Sequence, residues 1–454
     1  MEIIERSNVS RVLERLLGGS HMRIMAINGP RHLGKTTIAL QLRRRLIESK
    51  TSCWYLPMDK FNSHESDWHE IRSEYASQRD GAIHDNRDDD GQHCSTSNIT
   101  GAGAPPNGQV LVEVWERARR ESLKSERGLV LIIDEIQIIP RWSNIVKGLW
   151  DADRRNGYQL RVVVIGSPPW RLMIGQNESL AGRFDFHRVT HWSLPEMTQA
   201  FGLTVEEYMF FGGYPGPFCR DSEGITLRPW RDHILTAILT HVTKRDIMGL
   251  TRFHNPVVIR QLIDLSLRYS GNFIYYKKLL EKLPEAGDVT TLVDYLYLLS
   301  NANLIVTLDN YSRDPLRRKK SPQKLYALNT ALMTATSGYT FQEARADRSF
   351  WERIVKSAVG AHLYNTRGTV TRIHYWQRDS GKYYVDFVIS RGPHLVGVEV
   401  KSGNKRASQG LSEFKARYKN ARVMEVGPGV NAVSFNDFFS LTTDEWIEGK
   451  SVKS

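Results

Sequence analysis

The sequence predicts an α/β fold built on a parallel sheet covered on both faces. Three observations carry this. Short apolar runs at 24–27, 53–56, 129–133, 162–165 and 184–189 are rich in β-branched or aromatic residues, as strands buried on both faces are. Helical stretches alternate with them. A glycine-bounded segment, Gly29, Pro30, Arg31, His32, Leu33, Gly34, Lys35 and Thr36, stands between the first strand, RIMAI, and the first helix of that pattern.

Composition bounds the rest. The 454 residues suggest about three domains. No apolar run approaches the ~18 residues needed to span a bilayer. The first residues carry acids and lack a signal-type cleavage site, so a cytoplasmic protein with no membrane association is expected. Cys53, Cys94 and Cys219 are scattered, which fits a reducing compartment and disfavours a disulfide framework or zinc site. The net charge of +12 fits a nucleic-acid partner or a solvated basic surface.

The phosphate loop is the strongest motif. Gly29 to Thr36 matches GxxxxGK[ST], and Ile38, Leu42 and Leu46 give the following helix one buried face. Backbone N–H groups of the loop, through Thr37, can wrap a phosphate at the helix N-terminus. Lys35 meets the β- and γ-phosphates, and Thr36 ligates Mg²⁺. The run LVLIID then ends in Asp134 and Glu135. Asp134 is expected to hold the Mg²⁺ shell and Glu135 to polarise the attacking water, so ATP and Mg²⁺ are the expected cofactors and ATP hydrolysis the expected reaction. The segment 79–108 carries five Asp and many turn formers and reads as a flexible insert.

Further along, 191–254 reads as a helical lid and connector. Residues 255–335 read as a winged helix: three helices, then a hairpin from 304–308 and 324–327. Its loop carries Arg313, Arg317, Arg318, Lys319, Lys320 and Lys324, an expected DNA-phosphate contact. The third helix shows no Arg or Lys on its exposed face. Backbone- or structure-directed DNA binding is therefore expected rather than sequence readout. A protein-binding domain with a solvated basic loop is the alternative.

Residues 336–454 read as helix, three strands, helix, strand. Asp386 lies on one strand and Glu399 and Lys401 on the next, the latter two on one face by period-2 alternation. Two carboxylates can bind a hard cation such as Mg²⁺, and a lysine can assist the water.

DEIQIIPRW (134–142), ESLAGRF (178–184), YMFFGGYPG (208–216) and VGVEVKSG (396–403) resemble a prokaryotic family. Its members join an AAA+ ATPase module to a C-terminal domain similar to PD-(D/E)xK restriction endonucleases. The resemblance implies a P-loop AAA+ core over 1–190, and a nuclease-like domain over 336–454 with Glu352 as the helical acid beside Asp386, Glu399 and Lys401. It further implies Ser167 at the sensor position and Arg183 as an arginine finger. The competing readings are a strand-end turn for Ser167 and an ion pair within its own subunit for Arg183. An oligomer, hexameric as one possibility, is implied. The function expected is a DNA motor or remodeller of helicase, translocase or branch-migration type. A regulatory NTPase switch and an ATP-gated nuclease are the alternatives.

Overall fold

The computed structural model describes residues 6–18, 23–60, 107–167, 182–219, 226–243, 256–314, 321–403 and 409–451. The chain divides into two compact units, Met1–Gly29 with Gly34–Val189, and Pro30–Leu33 with Thr190–Ser454.

The first unit holds a five-stranded parallel sheet. Its elements run α1 (Ser7–Gly18), β1 (Ile24–Asn28), α2 (Lys35–Glu48), β2 (Ser52–Pro57), α3 (Gly108–Ser122), β3 (Leu129–Asp134), α4 (Trp142–Asn156), β4 (Leu160–Gly166) and β5 (Phe184–Arg188). The strand order is β2-β3-β4-β1-β5. Every residue of β1 and β3 is buried, as their unbroken apolar runs require. Trp54, Trp115, Trp142 and Phe184 fill one core with Ile133 and Val164. Asn107 and Gly108, read from sequence as the end of the insert, instead cap and begin α3. The Asn107 side chain accepts from the backbone N–H groups of Gln109 and Val110. The rest of the insert, 79–106, lies outside the described residues.

The second unit begins with α5 (Leu194–Phe201), α6 (Val205–Phe211), α7 (Leu227–Asp232) and a π-helical stretch, His233–Thr240. Gly212, which caps the end of α6, has φ 72°. Gly213 is required for another reason: a Cβ there would lie 2.2 Å from the Trp192 carbonyl oxygen. Next come α8 (Pro256–Arg268), β6 (Phe273–Ile274), α9 (Tyr276–Glu281), α10 (Val289–Asn301), β7 (Ile305–Leu308) and β8 (Gln323–Ala327). β6-β8-β7 form a small antiparallel sheet.

After α11 (Thr330–Ser337) and α12 (Phe341–Ala346), the long α13 (Arg348–Thr366) leads into a four-stranded sheet. Its strands are β9 (Arg372–Arg378), β10 (Tyr383–Arg391), β11 (His394–Val400) and β12 (Arg422–Val426). The order is β12-β11-β10-β9, with β12 parallel to β11 and the other pairs antiparallel. α14 (Gln409–Arg417) packs on this sheet through Leu411 and Phe414, and α15 (Phe435–Ser440) and α16 (Thr443–Glu448) close the chain.

The three segments read separately from sequence after residue 190 thus fall in one compact unit. Hydrogen bonds tie them together: Tyr311 N–H donates to the Tyr375 carbonyl at 2.6 Å, and the Asn329 side chain accepts from Gly213 N–H at 3.2 Å. Among the described residues, no helix is long and apolar enough to cross a membrane.

Candidate functional site

Two clusters gather the residues singled out from sequence. The first lies at the C-terminal edge of the parallel sheet. β1 ends at Asn28, the loop follows, and α2 starts at Lys35 with Ile38, Leu42 and Leu46 buried beneath it. The loop backbone explains its glycines. A Cβ on Gly29 would lie 2.3 Å from the Val189 carbonyl oxygen, and Gly34 sits at φ 79°. His32 also takes a positive φ, of 60°. Leu33 is buried and Thr37 exposed, while Pro30 is buried and Arg31 half-buried.

Lys35 is buried and its ammonium donates to the Gly29 carbonyl at 3.0 Å, spanning the loop. Thr36 Oγ1 donates to Asp134 Oδ2 at 2.8 Å, although 98 residues separate them. Asp134 also accepts from Tyr55 Oη at 3.1 Å and from Glu135 N–H at 2.9 Å. Burial nevertheless holds the Asp134 carboxyl above its ordinary pKa, and burial with the neighbouring Asp134 charge pushes the Tyr55 phenol up. Sequence gave no sign of Tyr55. Tyr55 is half-buried between the core residues Trp54 and Leu56, and reaches Asp134 from the strand beside the acid-bearing strand.

Glu135 is held at φ 54°, a left-handed conformation that costs a non-glycine residue about 1–3 kcal/mol. Gln137 Nε2 donates to its carboxylate. Asn28 pairs in register with Gly166 across β1 and β4, which brings Asn28 and Ser167 to one edge. Both are buried, and neither Asn28 Oδ1 nor Ser167 Oγ finds a hydrogen-bond partner among the described residues. Buried polar atoms left this way invite a ligand. The narrow glycine cradle, the spanning lysine, the Thr36–Asp134 pair and these two unfilled acceptors fit a nucleotide phosphate chain with a divalent cation.

Arg183 stands immediately before β5. Its guanidinium pairs with Asp151 at 3.0 and 3.3 Å and lies over the Trp150 ring at 5.5 Å. With Arg154 and Arg155 it lines a cleft of about 660 Å³. The ion pair within its own chain is therefore present in this state.

The second cluster lies in the second unit. Phe387 pairs with Val398, so Asp386 comes opposite Glu399, and Glu399 in turn pairs with Glu425. Lys401 Nζ lies 3.2 Å from Glu425 Oε1. Glu352 and Lys356 sit one turn apart on α13, and Lys356 Nζ is 3.1 Å from both Glu352 Oε1 and Asp386 Oδ1. Asp386 Oδ2 accepts from Val400 N–H at 3.0 Å.

Lys324 overturns an expectation. It is not at the tip of a basic loop: it is 4% exposed, with Nζ 3.8 Å from Asp386 Oδ1. Its ammonium donates to Tyr384 Oη and lies 4.9–5.8 Å from the ring centres of Tyr384, Tyr326 and Phe273. A side chain caged this way is not presented to a DNA phosphate. Its alternation with the inward Tyr326 along β8 was the available signal. Burial lowers the Lys324 ammonium to about 8, while on Lys356 the two carboxylates outweigh burial and raise it.

The carboxylates here do not fit a divalent cation as the chain stands. An ammonium already occupies the bridging position between Glu352 and Asp386. Among the described residues, no group of three or more His, Cys, Asp or Glu side chains is arranged to hold a metal ion.

Of the remaining basic residues on that loop, Arg313 is exposed with its guanidinium 5.7 Å from the Tyr418 ring centre. Arg317, Arg318, Lys319 and Lys320 lie outside the described residues. The exposed face of α10 shows Val293, Asp294 and Tyr297.

Comparisons with known proteins bear on the first cluster. Residues 106–198 match an AAA domain family, a segment that begins beyond the phosphate loop and contains Asp134, Glu135, Ser167 and Arg183. Residues 203–343 and 349–444 match two domains of unknown function, DUF8612 and DUF4143. No curated protein sequence matches the chain. Among solved structures, the Thermotoga maritima RuvB Holliday junction branch migration motor is similar at 15% identity, over 69% of this chain and 90% of that one, with a TM-score of 0.29. The Aeropyrum pernix ORC1 protein in complex with DNA is similar at 14% identity, over 75% and 94%, with a TM-score of 0.27. C. elegans PCH-2 is similar at 16% identity, over 65% and 66%, with a TM-score of 0.26. The family match and the five-stranded parallel sheet behind the phosphate loop together place a P-loop domain of AAA+ type in the N-terminal part of the chain.

Proposed function

We propose that the chain is an ATP-hydrolysing AAA+ ATPase that works as an oligomer on DNA, as a motor or remodeller that grips the DNA backbone. The observation that carries the ATPase reading is the 2.8 Å bond from Thr36 to Asp134, beside a lysine that spans the glycine cradle. Two residues nearly a hundred positions apart meet where a phosphate-bound cation belongs. When bound, Mg²⁺ supplies positive charge that offsets the phosphate oxygens.

The chain's own groups divide the remaining work. Lys35, now on the Gly29 carbonyl, turns its ammonium to the phosphates. Thr36 and Asp134 hold the cation's shell. The Glu135 carboxylate takes a proton from the attacking water, and its strained backbone fixes where that carboxylate stands. Ser167 Oγ, buried and without a partner, orients the water or the γ-phosphate. Arg183 leaves Asp151 to act on a neighbouring subunit's nucleotide.

DNA as the substrate is supported by the +12 charge and by the basic loop after β7. The lack of Arg or Lys on the exposed face of α10 favours backbone contact over base readout. ATP turnover measured with no DNA, linear duplex, single strand and a four-way junction tests the reading. The motor requires stimulation by at least one DNA form. Turnover indifferent to all of them favours a second reading, a nucleotide switch that presents α10 to a protein. The exposed Val293 and Tyr297, one turn apart on that helix, are the observation behind it.

A further inference from the structure

The second cluster carries an inference of its own. Its geometry is that of an ion-pair network. Lys356 bridges Glu352 and Asp386 at 3.1 Å each, Lys324 approaches Asp386 at 3.8 Å, and Lys401 takes Glu425 at 3.2 Å. Three lysines thus pair with three carboxylates, Glu352, Asp386 and Glu425, and Glu399 lies opposite Asp386 and Glu425 in the sheet. We infer that the Lys356 ammonium, backed by Lys324, is the built-in counter-ion of the Asp386 centre and takes the place of a divalent cation on Asp386.

Three features of the surroundings make this more than a surface pairing. Asp386 and Lys324 are almost fully buried, so Lys324 cannot leave without exposing a charge to an apolar interior. The Tyr384 hydroxyl and three aromatic rings hold its ammonium in place, which gives a buried cation both a hydrogen bond and π-faces. The second oxygen of Asp386 is fixed by Val400 N–H, so the carboxylate is aimed by its neighbours toward the lysines.

A hard cation binds carboxylates at about 2.0–2.1 Å for Mg²⁺ and requires the surrounding positions for water. Lys356 Nζ, 3.1 Å from both oxygens as an ion pair and without hydrogen-bond geometry at Asp386 Oδ1, takes that space and repels the ion. The centre as built therefore holds the sheet and α13 together and does not cleave by a metal-activated water. The lysine is also its gate: with Lys356 neutralised, Glu352 and Asp386 lose the cation between them, and a divalent cation can take its place.

Mn²⁺ binding tests this on the nucleotide-free full chain, read by electron paramagnetic resonance. Comparing variants that differ only at positions 356 and 386 cancels binding at the phosphate loop. The wild-type protein and Asp386→Asn are expected to bind Mn²⁺ alike. Lys356→Met is expected to gain a site at least tenfold tighter than anything Asp386-dependent in the wild type. The double variant Lys356→Met/Asp386→Asn loses that site. Lys356→Gln, which keeps hydrogen-bond donors on the helix, serves if the methionine variant does not fold, as judged by circular dichroism. Wild-type Mn²⁺ binding that disappears in Asp386→Asn overturns the inference. A folded Lys356 variant that gains no site overturns it equally.

Discussion

Asp134 is asked to do two things that conflict, and the conflict can be measured. It is 2% exposed and accepts three hydrogen bonds, yet burial still raises its pKa. The ionised carboxylate therefore costs the nucleotide-free protein stability. Asp134→Asn keeps the shape and removes the charge; its Oδ1 still accepts from Glu135 N–H, while its Nδ2 faces the Thr36 and Tyr55 hydroxyls, which turn from donors to acceptors. It should stabilise the nucleotide-free protein by about 1 kcal/mol, within the range usual for relieving a functional strain. For a unit of this size that is roughly 2–4 °C in Tm. The pH dependence has a definite sign. A carboxyl with a raised folded pKa contributes stability in full below its unfolded pKa and loses it as pH rises through the folded value. The advantage of Asn should thus be largest at neutral pH and shrink as pH falls. With Mg²⁺·ATP at a hundred times its Kd, the wild type should gain about 2.7 kcal/mol, and Asp134→Asn should lose the Mg²⁺-dependent part. Thermal unfolding with and without Mg²⁺, with ATP present or absent, gives every quantity. An Asn variant less stable than wild type without nucleotide, or one with an unchanged Mg²⁺-dependent shift, would refute the reasoning.

Lys35→Ala should abolish nucleotide binding, whereas Glu135→Gln should bind ATP and hydrolyse it at least 100-fold more slowly; fluorescent-nucleotide titration and phosphate release separate the two. Asp153→Asn leaves the buried Arg119 with only the half-exposed Glu116 as charge partner and should cost about 3 kcal/mol in urea melts, against under ~1 kcal/mol for Asp185→Asn, whose partner Arg15 is exposed. His362 is buried with its Nε2–H donating to the Leu441 carbonyl at 2.8 Å, and burial depresses its pKa to about 4. That depressed pKa contributes stability above pH 6.5 that is lost as pH falls toward 4, about 3 kcal/mol in all, so His362→Gln should flatten the pH dependence of unfolding across that window.

What could be read in the sequence followed periodicity. β1 and β3 are unbroken apolar runs, and they emerge as the fully buried strands. Ile38, Leu42 and Leu46 are the buried face of α2. The phosphate loop was legible because its chemistry is local: glycines where a Cβ would strike backbone, and a lysine and threonine at a helix start. The partners of Asp134 were not. Tyr55 reaches it only because β2 lies beside β3, and strand order is not written in either strand. Gly213 is constrained by the Trp192 carbonyl, a contact that no local pattern encodes.

Lys324 shows the same limit with a functional consequence. Six bases in thirteen residues suggested one phosphate-binding surface, because net charge in a loop is additive in sequence. In the fold, Lys324 belongs to β8 and points where Tyr326 points, into the interior. Its charge is then taken by Asp386 and its hydrogen bond by Tyr384, so it contributes nothing to an electrostatic footprint. Arg313, exposed and next to Tyr418, stays available. A salt titration of DNA binding would count the difference. Each duplex phosphate contact adds about 0.9 to the log–log slope, so Arg313→Ala should lower the slope by up to that amount. Lys324→Met should leave the slope unchanged in any variant that remains folded. A slope that falls for Lys324→Met and not for Arg313→Ala would mean that the centre around Asp386 opens on DNA, and that its lysines are a grip rather than a counter-ion.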